Sequence, residues 1–416
     1  MFDDTKLNAL LAACVPGRPL PQAFYKDEDL FAADMALIWE QQWLFAGLSC
    51  EIKGPGDWFT VAIGETSVVV IRDRDDTIRA FFNTCRHRGS RICAGERGTA
   101  RRLTCPYHQW TYGLDGKLMF ARNMGETFDP SKYGLKRVAC EVVAGYIFIS
   151  LAQEPPDFSA FSARVTPYLA PHGLEHAKIA FESTIVEKGN WKLVLENNRE
   201  CYHCTANHPE LLRTIFEYDG PTDPRYGSDG VVFAAKTASD EARWAAAGLP
   251  YAPVEEAPEY RLVRAAMERG VSFTMSGEAA SRRVMGALPE QDVGSLRLLR
   301  FPNTWNHALG DHAVAFRLLP LGPRKTQVTT RWLVHEEAVE GVDYDLDTLT
   351  EVWKATNAQD QRLVETNQLG INSLGYEPGE YSPLVESGVM AFIAWYLDAM
   401  RDGLAATRRT LPIRVA

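Results

Sequence analysis

The sequence predicts a two-domain α+β protein, in which a small all-β domain precedes a larger α+β domain with helices around an antiparallel sheet. The chain has 416 residues, more than one hydrophobic core usually supports. Short β-rich runs separated by turns occupy residues 57–151, and strand-like and helical segments alternate after that. We therefore expect a helical segment at residues 1–43 that packs on the larger domain, an all-β domain at 44–152, and the α+β domain at 153–416.

The predicted elements follow from the spacing of apolar residues. Apolar groups recur at helical spacing from Leu30 to Trp39, which indicates a helix before the first strand. The paired prolines at 155 and 156 mark the domain boundary. The predicted strands are Trp58–Ile63, Ser67–Arg72, Ile78–Asn83, Tyr146–Leu151, Glu182–Lys188, Ser295–Phe301, Ala313–Leu319 and Thr326–His335. The later predicted helices are Trp191–Tyr202, Leu346–Gln368 and Gly388–Met400, and residues 220–290 receive no assignment.

Composition and charge exclude several classes of protein. Hydrophobic residues make up 46% and charged residues 24%, as in ordinary globular proteins. The net charge of -10 disfavours binding to nucleic acid or anionic lipid. No stretch approaches the roughly 18 apolar residues of a membrane span, and the acidic first residues lack the basic region of a secretion signal. We expect a cytoplasmic protein whose eight cysteines are thiols or metal ligands rather than disulfides.

The first candidate metal site combines Cys85-Arg86-His87 with Cys105-Pro106-Tyr107-His108, separated by seventeen residues. Thiolates suit iron–sulfur clusters, and imidazoles suit iron or zinc. The four residues fit a Rieske [2Fe–2S] centre, in which two cysteines hold one iron and two histidines the other. A zinc site is the alternative. The mixed pairs favour the cluster, because zinc fingers usually group Cys with Cys. Cys93 is not needed by this spacing, and we expect it to be a buried thiol.

The second candidate site is Glu200, His203 and His208, together with a carboxylate far along the chain, for which Asp360 is the best candidate. On a continuous helix, positions 200 and 203 would share a face with Glu196. Two histidines and one carboxylate form the facial triad that leaves positions on Fe(II) open for O₂. The alternatives are structural histidines and a solvated aspartate. Cys201-x-x-Cys204 could be a redox dithiol, but the βαβ context of a thioredoxin-like site is absent.

These motifs, with their flanks Arg88-Gly89 and Gln109–Gly116, resemble those of the Rieske non-haem iron oxygenase α subunits. Within that family the sequence is most similar to the branch that acts on quaternary ammonium compounds. The similarity extends over nearly the whole chain, through Gln42–Phe45, Arg86–Arg91, Asn190–Cys204, Glu340–Asp345, Asn367-Gln368-x-Gly370 and Tyr376-x-Pro378-Gly379.

The resemblance implies a role for each candidate residue. It implies that Cys85, His87, Cys105 and His108 hold the [2Fe–2S] cluster, and that His203, His208 and Asp360 hold a mononuclear Fe(II). Glu200 matches the acidic residue that joins the two sites in the family. There it hydrogen-bonds an iron-ligating histidine, here His203, and a cluster-ligating histidine of a neighbouring subunit, here His108. The resemblance therefore implies an oligomer, usually a trimer in this family.

Two positions depart from the common pattern of the family. Many members carry Asp at the position of Glu200, and often Asn at the position of Glu196. The first change keeps the charge. The second adds a carboxylate near the iron, for which we leave open a solvent-facing position, an ion pair with Arg199, or a role in the site.

The resemblance also implies a reaction. The branch hydroxylates an N-methyl group with O₂ and two electrons. For glycine betaine the resulting hemiaminal breaks down to dimethylglycine and formaldehyde. Proline betaine, carnitine and choline are alternative substrates, and hydroxylation of an aromatic ring is a further alternative. The sequence contains no dinucleotide-binding G-x-G-x-x-G and no P-loop, so we expect a separate flavin and iron–sulfur reductase to supply electrons from NAD(P)H.

A protein without enzymatic activity is the remaining hypothesis, either a Rieske electron carrier or a zinc-stabilised binding protein. A carrier needs only the small β domain. The long remainder of the chain, with its own histidines and aspartate, argues against it.

Overall fold

The computed structural model describes residues 3–215, 230–255 and 257–410. A π-helical turn, Met35–Trp39, extends the third helix. None of the described helices is both long and apolar enough to cross a bilayer. The helices are α1 (Asp4–Ala13), α2 (Ala23–Lys26), α3 (Glu28–Asp34), α4 (Ser159–Leu169), α5 (Trp191–Asn198), α6 (Cys204–Asn207), α7 (Gly230–Ala246), α8 (Leu346–Ile371) and α9 (Ser387–Thr410).

The first part of the chain forms two antiparallel sheets. A seven-stranded sheet has the order β1-β10-β9-β4-β3-β2-β5, and a three-stranded sheet has the order β6-β7-β8. Their strands are β1 (Leu44–Leu48), β2 (Asp57–Ile63), β3 (Thr66–Arg72), β4 (Ile78–Phe82), β5 (Arg97–Thr99), β6 (Leu103–Thr104), β7 (Thr111–Tyr112), β8 (Leu118–Phe120), β9 (Arg137–Val143) and β10 (Tyr146–Ser150). The small sheet packs closely on the large one at Gly116, where a Cβ atom would lie 2.4 Å from the Phe81 ring.

The second part is built on one six-stranded antiparallel sheet with the order β11-β16-β15-β14-β13-β12. Its strands are β11 (Lys178–Glu187), β12 (Tyr260–Ala265), β13 (Ser295–Arg300), β14 (Thr304–Ala308), β15 (His312–Gly322) and β16 (Lys325–Val334). Strands β15 and β16 are buried along most of their length, as expected for central strands covered on both faces. Helices α5 and α8 pack against this sheet and against each other, which brings the second set of candidate ligands together.

The N-terminal helices are attached to the second part of the chain by a buried polar cluster centred on Asp34. Its carboxylate accepts hydrogen bonds from Trp191 Nε1 at 2.9 Å and from the Tyr396 hydroxyl at 2.7 Å. It also pairs with the ammonium of Lys192, and both charged groups are fully buried. Since a buried charge is costly without its partner, this cluster fixes α3 against α5 and α9.

The predicted elements occur in the structure with boundary shifts, and one shift affects the site. Helix α5 ends at Asn198, so the prediction that it continues to Tyr202 was wrong. The Glu200 carboxylate accepts hydrogen bonds from the backbone N–H groups of Tyr202 and His203, and such local bonds compete with helix. The strands that were not predicted are β1, β5, β6, β7, β8, β9, β12 and β14. Of the helices after residue 43, α4, α6 and α7 were not predicted. Of residues 220–290, positions 220–229 and 256 lie outside the described residues.

Candidate metal centres and active site

The first candidate ligand set lies on two tight loops of similar construction. In the loop after β4, the N–H of Gly89 donates to the carbonyl of Cys85 at 3.0 Å. In the loop between β6 and β7, the N–H of Gln109 donates in the same way to the carbonyl of Cys105 at 3.1 Å. Gln109 adopts a φ of +61° to close this second loop. Each loop presents one cysteine inwards and one histidine outwards.

The donor atoms of these loops sort into a buried pair of sulfurs and a surface pair of imidazoles. Cys85 and Cys105 are 3% and 1% exposed. The Nδ1 atoms of His87 and His108 lie 3.1 Å apart at the surface. Two thiols on one side and two facing imidazole nitrogens on the other are the donor set of a Rieske cluster, so the residues present fit that group.

Aromatic side chains hold both imidazoles and one thiol in place. Trp110 stacks on the ring of His87, with centroids 4.9 Å apart and planes 9° apart. The Tyr107 ring stacks on His108 at 3.8 Å. The Tyr112 hydroxyl lies 3.3 Å from the sulfur of Cys85. Cys93 is a buried free thiol as predicted, and burial raises its pKa to about 12.

The second candidate set converges from the two ends of α6 and from α8. His203 precedes α6, His208 follows it, and Asp360 lies in the middle of α8. The Nε2 atoms of the two histidines are 3.0 Å apart. Oδ1 of Asp360 lies 3.0 Å from Nε2 of His208 and 3.4 Å from Nε2 of His203.

A cation accounts for this convergence better than hydrogen bonds do. Nδ1 of His203 donates to Glu200 Oε1 at 2.5 Å, and Nδ1 of His208 donates to Gln359 Oε1 at 2.8 Å. In the neutral imidazoles both Nε2 atoms are therefore acceptors. They face the Asp360 oxygen, which forms no hydrogen bond of normal geometry with any described residue. Ligands at right angles on a metal with bonds of about 2.1 Å lie about 3.0 Å apart, so the three atoms fit a facial triad.

The pKa of His203 reflects the same charge distribution. Burial lowers this pKa, but the carboxylates of Asp360 and Glu200 outweigh burial and raise it to about 9. The surroundings therefore favour a positive charge at the imidazoles. A metal would replace the protons there, because bound histidine must be neutral.

Sequence reasoning missed Gln359 as an orienting residue. It precedes Asp360 on α8, and its amide Nε2 donates in turn to Glu210 Oε2 at 2.7 Å. A glutamine beside a candidate ligand was the available signal, but helix spacing alone does not show which residue it faces.

The prediction that all cysteines are thiols or ligands was wrong for one pair, because Cys201 and Cys204 form a disulfide. The other six cysteines are free. The two cysteines lie on either side of Tyr202 and His203, and the turn at the end of α5 brings them close enough to bond. The sulfur of Cys204 also lies within 4.8 Å of ligand atoms of His203 and His208.

Glu196 is half-buried, and its carboxylate is hydrogen-bonded within the protein. Its two carboxylate oxygens accept hydrogen bonds from the hydroxyls of Tyr25 at 2.8 Å and Tyr381 at 2.9 Å. Burial raises the pKa of Glu196 to about 7. It therefore joins α5 to the N-terminal helices and to the segment before α9, behind the site.

A small cavity lies beside the second set of ligands, and its lining was not predicted. Asn197 and Asp360 form the end near the histidines, since the Nδ2 atom of Asn197 is 3.4 Å from Nε2 of His203. The lining residues are Glu187, Val194, Asn197, Asn198, Trp305, Val328, Trp353, Asn357 and Asp360.

Comparison with known families identifies the class of protein. Residues 42–135 match the Rieske [2Fe-2S] domain, and residues 174–402 match the catalytic domain of the ring hydroxylating alpha subunit. The second match covers more than half of the chain. The chain therefore belongs to the Rieske-type ring-hydroxylating oxygenases, which confirms the predicted fold class and the two cofactors, a [2Fe–2S] cluster and a mononuclear iron.

Among three individual relatives, sequence identity is highest for two glycine betaine monooxygenase oxygenase subunits. The chain is 50% identical over 396 residues to the glycine betaine monooxygenase oxygenase subunit of Chromohalobacter salexigens, covering 95% of this chain and 88% of that protein. It is 49% identical over 387 residues to the subunit of the same name from Pseudomonas aeruginosa, covering 92% and 90%. The carnitine monooxygenase oxygenase subunit of Escherichia coli is 35% identical over 205 residues, covering 47% of this chain and 54% of that protein.

Solved structures show the same fold at lower sequence identity. A quaternary ammonium Rieske monooxygenase solved with L-carnitine gives a TM-score of 0.69 at 21% identity, covering 93% of this chain and 97% of that chain. Naphthalene 1,2-dioxygenase from Rhodococcus sp. gives a TM-score of 0.67 at 17% identity, covering 96% and 99%.

Proposed function

We propose that this protein is the oxygenase subunit of a two-component monooxygenase that removes one methyl group from glycine betaine. The observation that carries the proposal is the identity of about 50% to glycine betaine monooxygenase oxygenase subunits, over 92–95% of the chain. The carnitine enzymes, at 35% identity over about half of the chain, support the alternative substrate less well.

The proposed reaction balances with two electrons from outside the chain. Glycine betaine, O₂, two electrons and two protons give the N-hydroxymethyl compound and water. The hydroxymethyl group then leaves as formaldehyde, and dimethylglycine remains. The bound iron supplies the O₂ chemistry, and the cluster supplies electrons one at a time.

We propose the following roles for the residues. Cys85, His87, Cys105 and His108 hold the cluster, and His203, His208 and Asp360 hold the iron. Glu200 orients His203 and Gln359 orients His208, since each accepts the Nδ1 proton and leaves Nε2 free to bind metal. The buried cavity beside Asp360 holds the substrate away from water.

Further proposals concern partners and organisation. We propose an NAD(P)H-dependent flavin and iron–sulfur reductase as electron donor, a homotrimer, and a cytoplasmic location. The exposed imidazole edges of His87 and His108 support electron exchange at the surface. Within one chain Glu200 reaches His203, and in a trimer the His108 of a neighbouring subunit would be its second partner. We propose that the domains comprise residues 1–43, 44–152 and 153–416.

The direct test is turnover by purified protein with a reductase, NADH and O₂. We expect about three irons and two acid-labile sulfides per chain, and one formaldehyde per glycine betaine consumed. Carnitine, choline and proline betaine are the comparison substrates. Faster turnover of one of these would reassign the substrate, and zinc in place of iron and sulfide would overturn the mechanism.

A further inference from the structure

Two residues that line the cavity beside the candidate iron ligands carry buried polar atoms of opposite hydrogen-bonding character. Oε2 of Glu187 and Nε1 of Trp353 find no hydrogen-bond partner among the described residues. Both residues line the cavity. The first atom is an acceptor that carries negative charge when ionised, and the second is a donor. Buried polar groups are normally paired, so these two residues offer an acceptor and a donor to a bound ligand.

Glu187 lines the cavity and interacts electrostatically with the candidate ligand Asp360. It is the last residue of β11 and is 3% exposed. Burial raises the pKa of Glu187 to about 8, and the neighbouring carboxylates of Asp360 and Glu365 add to this rise. A cationic group placed here would offset the negative potential of two nearby carboxylates.

Trp353 lies on α8, before Asp360. Trp353, Asn357 and Asp360 follow one another at helical spacing on α8 and all line the cavity. Trp353 precedes Asp360 by seven positions, a rise of roughly 10 Å along the helix. The two residues therefore line the cavity about two helical turns apart.

Trp305 on β14 also lines the cavity, with its own aromatic ring. Phe316 stacks on Trp305 with centroids 5.1 Å apart, and His307 packs at 4.7 Å from Trp353. These neighbours fix both indole rings. A quaternary ammonium cannot donate hydrogen bonds, and aromatic surfaces attract it through cation–π interaction.

We propose that Glu187 is the residue that selects a quaternary ammonium over an uncharged group of the same shape, and that the Trp353 indole N–H binds the carboxylate of the same ligand. This inference rests on the proposed function and names the groups that define its substrate. The ammonium lies between Glu187 and Trp305, with a methyl group towards Asp360. The carboxylate lies towards the N-terminal end of α8.

The test compares glycine betaine with 3,3-dimethylbutyrate, in which carbon replaces the charged nitrogen. Dissociation constants are measured by calorimetry on the iron-loaded protein, alongside formaldehyde production. We expect the wild type to bind glycine betaine at least tenfold more tightly than 3,3-dimethylbutyrate. In Glu187→Gln we expect this ratio to fall to near one, with the cluster absorbance and iron content unchanged. Glu141→Gln, an exposed change on β9, is the matched control.

Trp353→Phe is an independent test of the proposed carboxylate contact, because it removes the N–H and keeps an aromatic ring. Both ligands carry a carboxylate, so we expect their affinities to fall by the same factor while choline binding is unaffected. An unchanged ratio in a folded, iron-loaded Glu187→Gln protein would overturn the inference. A wild type that turns over another substrate and does not turn over glycine betaine would instead overturn the proposed function. Failure of the inference and failure of the proposed function are therefore distinguishable.

Discussion

Nδ1 of His208 donates a hydrogen bond of 2.8 Å to Oε1 of Gln359, the residue next to the carboxylate Asp360. This bond fixes the tautomer of His208, because the proton on Nδ1 leaves the Nε2 lone pair directed at His203 and Asp360. Glu210 holds the glutamine amide from the other side at 2.7 Å. One turn of α8 therefore provides both a ligand and the orientation of a second ligand.

We predict that Gln359→Leu weakens iron binding while the cluster is retained. Loss of the acceptor frees the His208 ring to rotate and to change tautomer. Substitutions of this kind typically cost about 10- to 100-fold in metal affinity. The measurement is iron content after dialysis against a chelator, with visible absorbance reporting the cluster. Gln361→Leu, on the same helix but not bonded to either histidine, is the control, and equal iron loss in both variants would contradict the prediction.

A second prediction concerns Glu200, which accepts the Nδ1 proton of His203 at 2.5 Å. Glu200→Ala removes this acceptor and two bonds to the backbone of the turn. We expect formaldehyde production to fall by about 10- to 100-fold, and Glu200→Asp to restore part of it. Stopped-flow absorbance of the prereduced cluster, mixed with O₂ and glycine betaine, measures how fast the cluster is reoxidised. Reoxidation as fast in Glu200→Ala as in the wild type would refute the role.

A third prediction uses the half-buried Glu196, since desolvation of its carboxyl raises the pKa from 4.5 to about 7. Tyr25, Tyr381 and Lys192 oppose this shift, and Glu386 adds to it. Between these two pKa values the folded state keeps a proton that the unfolded state has released, so stability falls as pH rises. In Glu196→Gln this loss is absent. Between pH 4.5 and pH 8, the free energy of unfolding of the variant should therefore rise relative to that of the wild type by on the order of 3 kcal/mol.

Urea unfolding of both proteins at the two pH values measures the difference for Glu196. The exposed Glu141 provides the control, because Glu141→Gln should show no such trend. A stability difference between Glu196→Gln and the wild type that stays constant with pH would show that Glu196 does not titrate in this range.

The Cys201–Cys204 disulfide gives a fourth prediction. It closes a short ring around Tyr202 and His203 and so limits the motion of a candidate ligand. Replacing both cysteines with serine should speed iron loss to a chelator several-fold, because the turn gains conformational freedom. Cys14→Ser, at a free cysteine of the N-terminal region, is the control. Equal rates of iron loss would show that the disulfide does not support the site.

The sequence allowed prediction of the parts of the site that are local in the chain. Cys85 and His87 belong to one loop, and Cys105 and His108 to another, so their spacing alone indicates a shared centre. The pairing of His203 and His208 with Asp360 depended on family resemblance, because Asp360 lies 152 positions after His208 in the sequence. The end of α5 was placed too late, because a side chain of the following turn bonds to the backbone there.

The cavity could not be predicted from the sequence. Glu187 ends β11, Trp305 lies on β14 and Trp353 on α8, and no spacing rule relates them. Their proximity depends on the order of strands in the six-stranded sheet and on how α8 packs across it. In the sequence each reads as an ordinary core or surface residue.

The order of strands also determines when each sheet can form while the chain is being synthesised on the ribosome. The seven-stranded sheet is complete once Ser150 has emerged, whereas β11 pairs with β16, which ends at Val334. The difference, 334 − 150, is 184 residues, or roughly 10–40 s of synthesis. Cluster assembly could therefore begin on a nascent chain that does not yet have an iron site. The newly made α3, which carries Asp34, must also wait for Tyr396 of α9, so the first helices to be synthesised are among the last to find their partners.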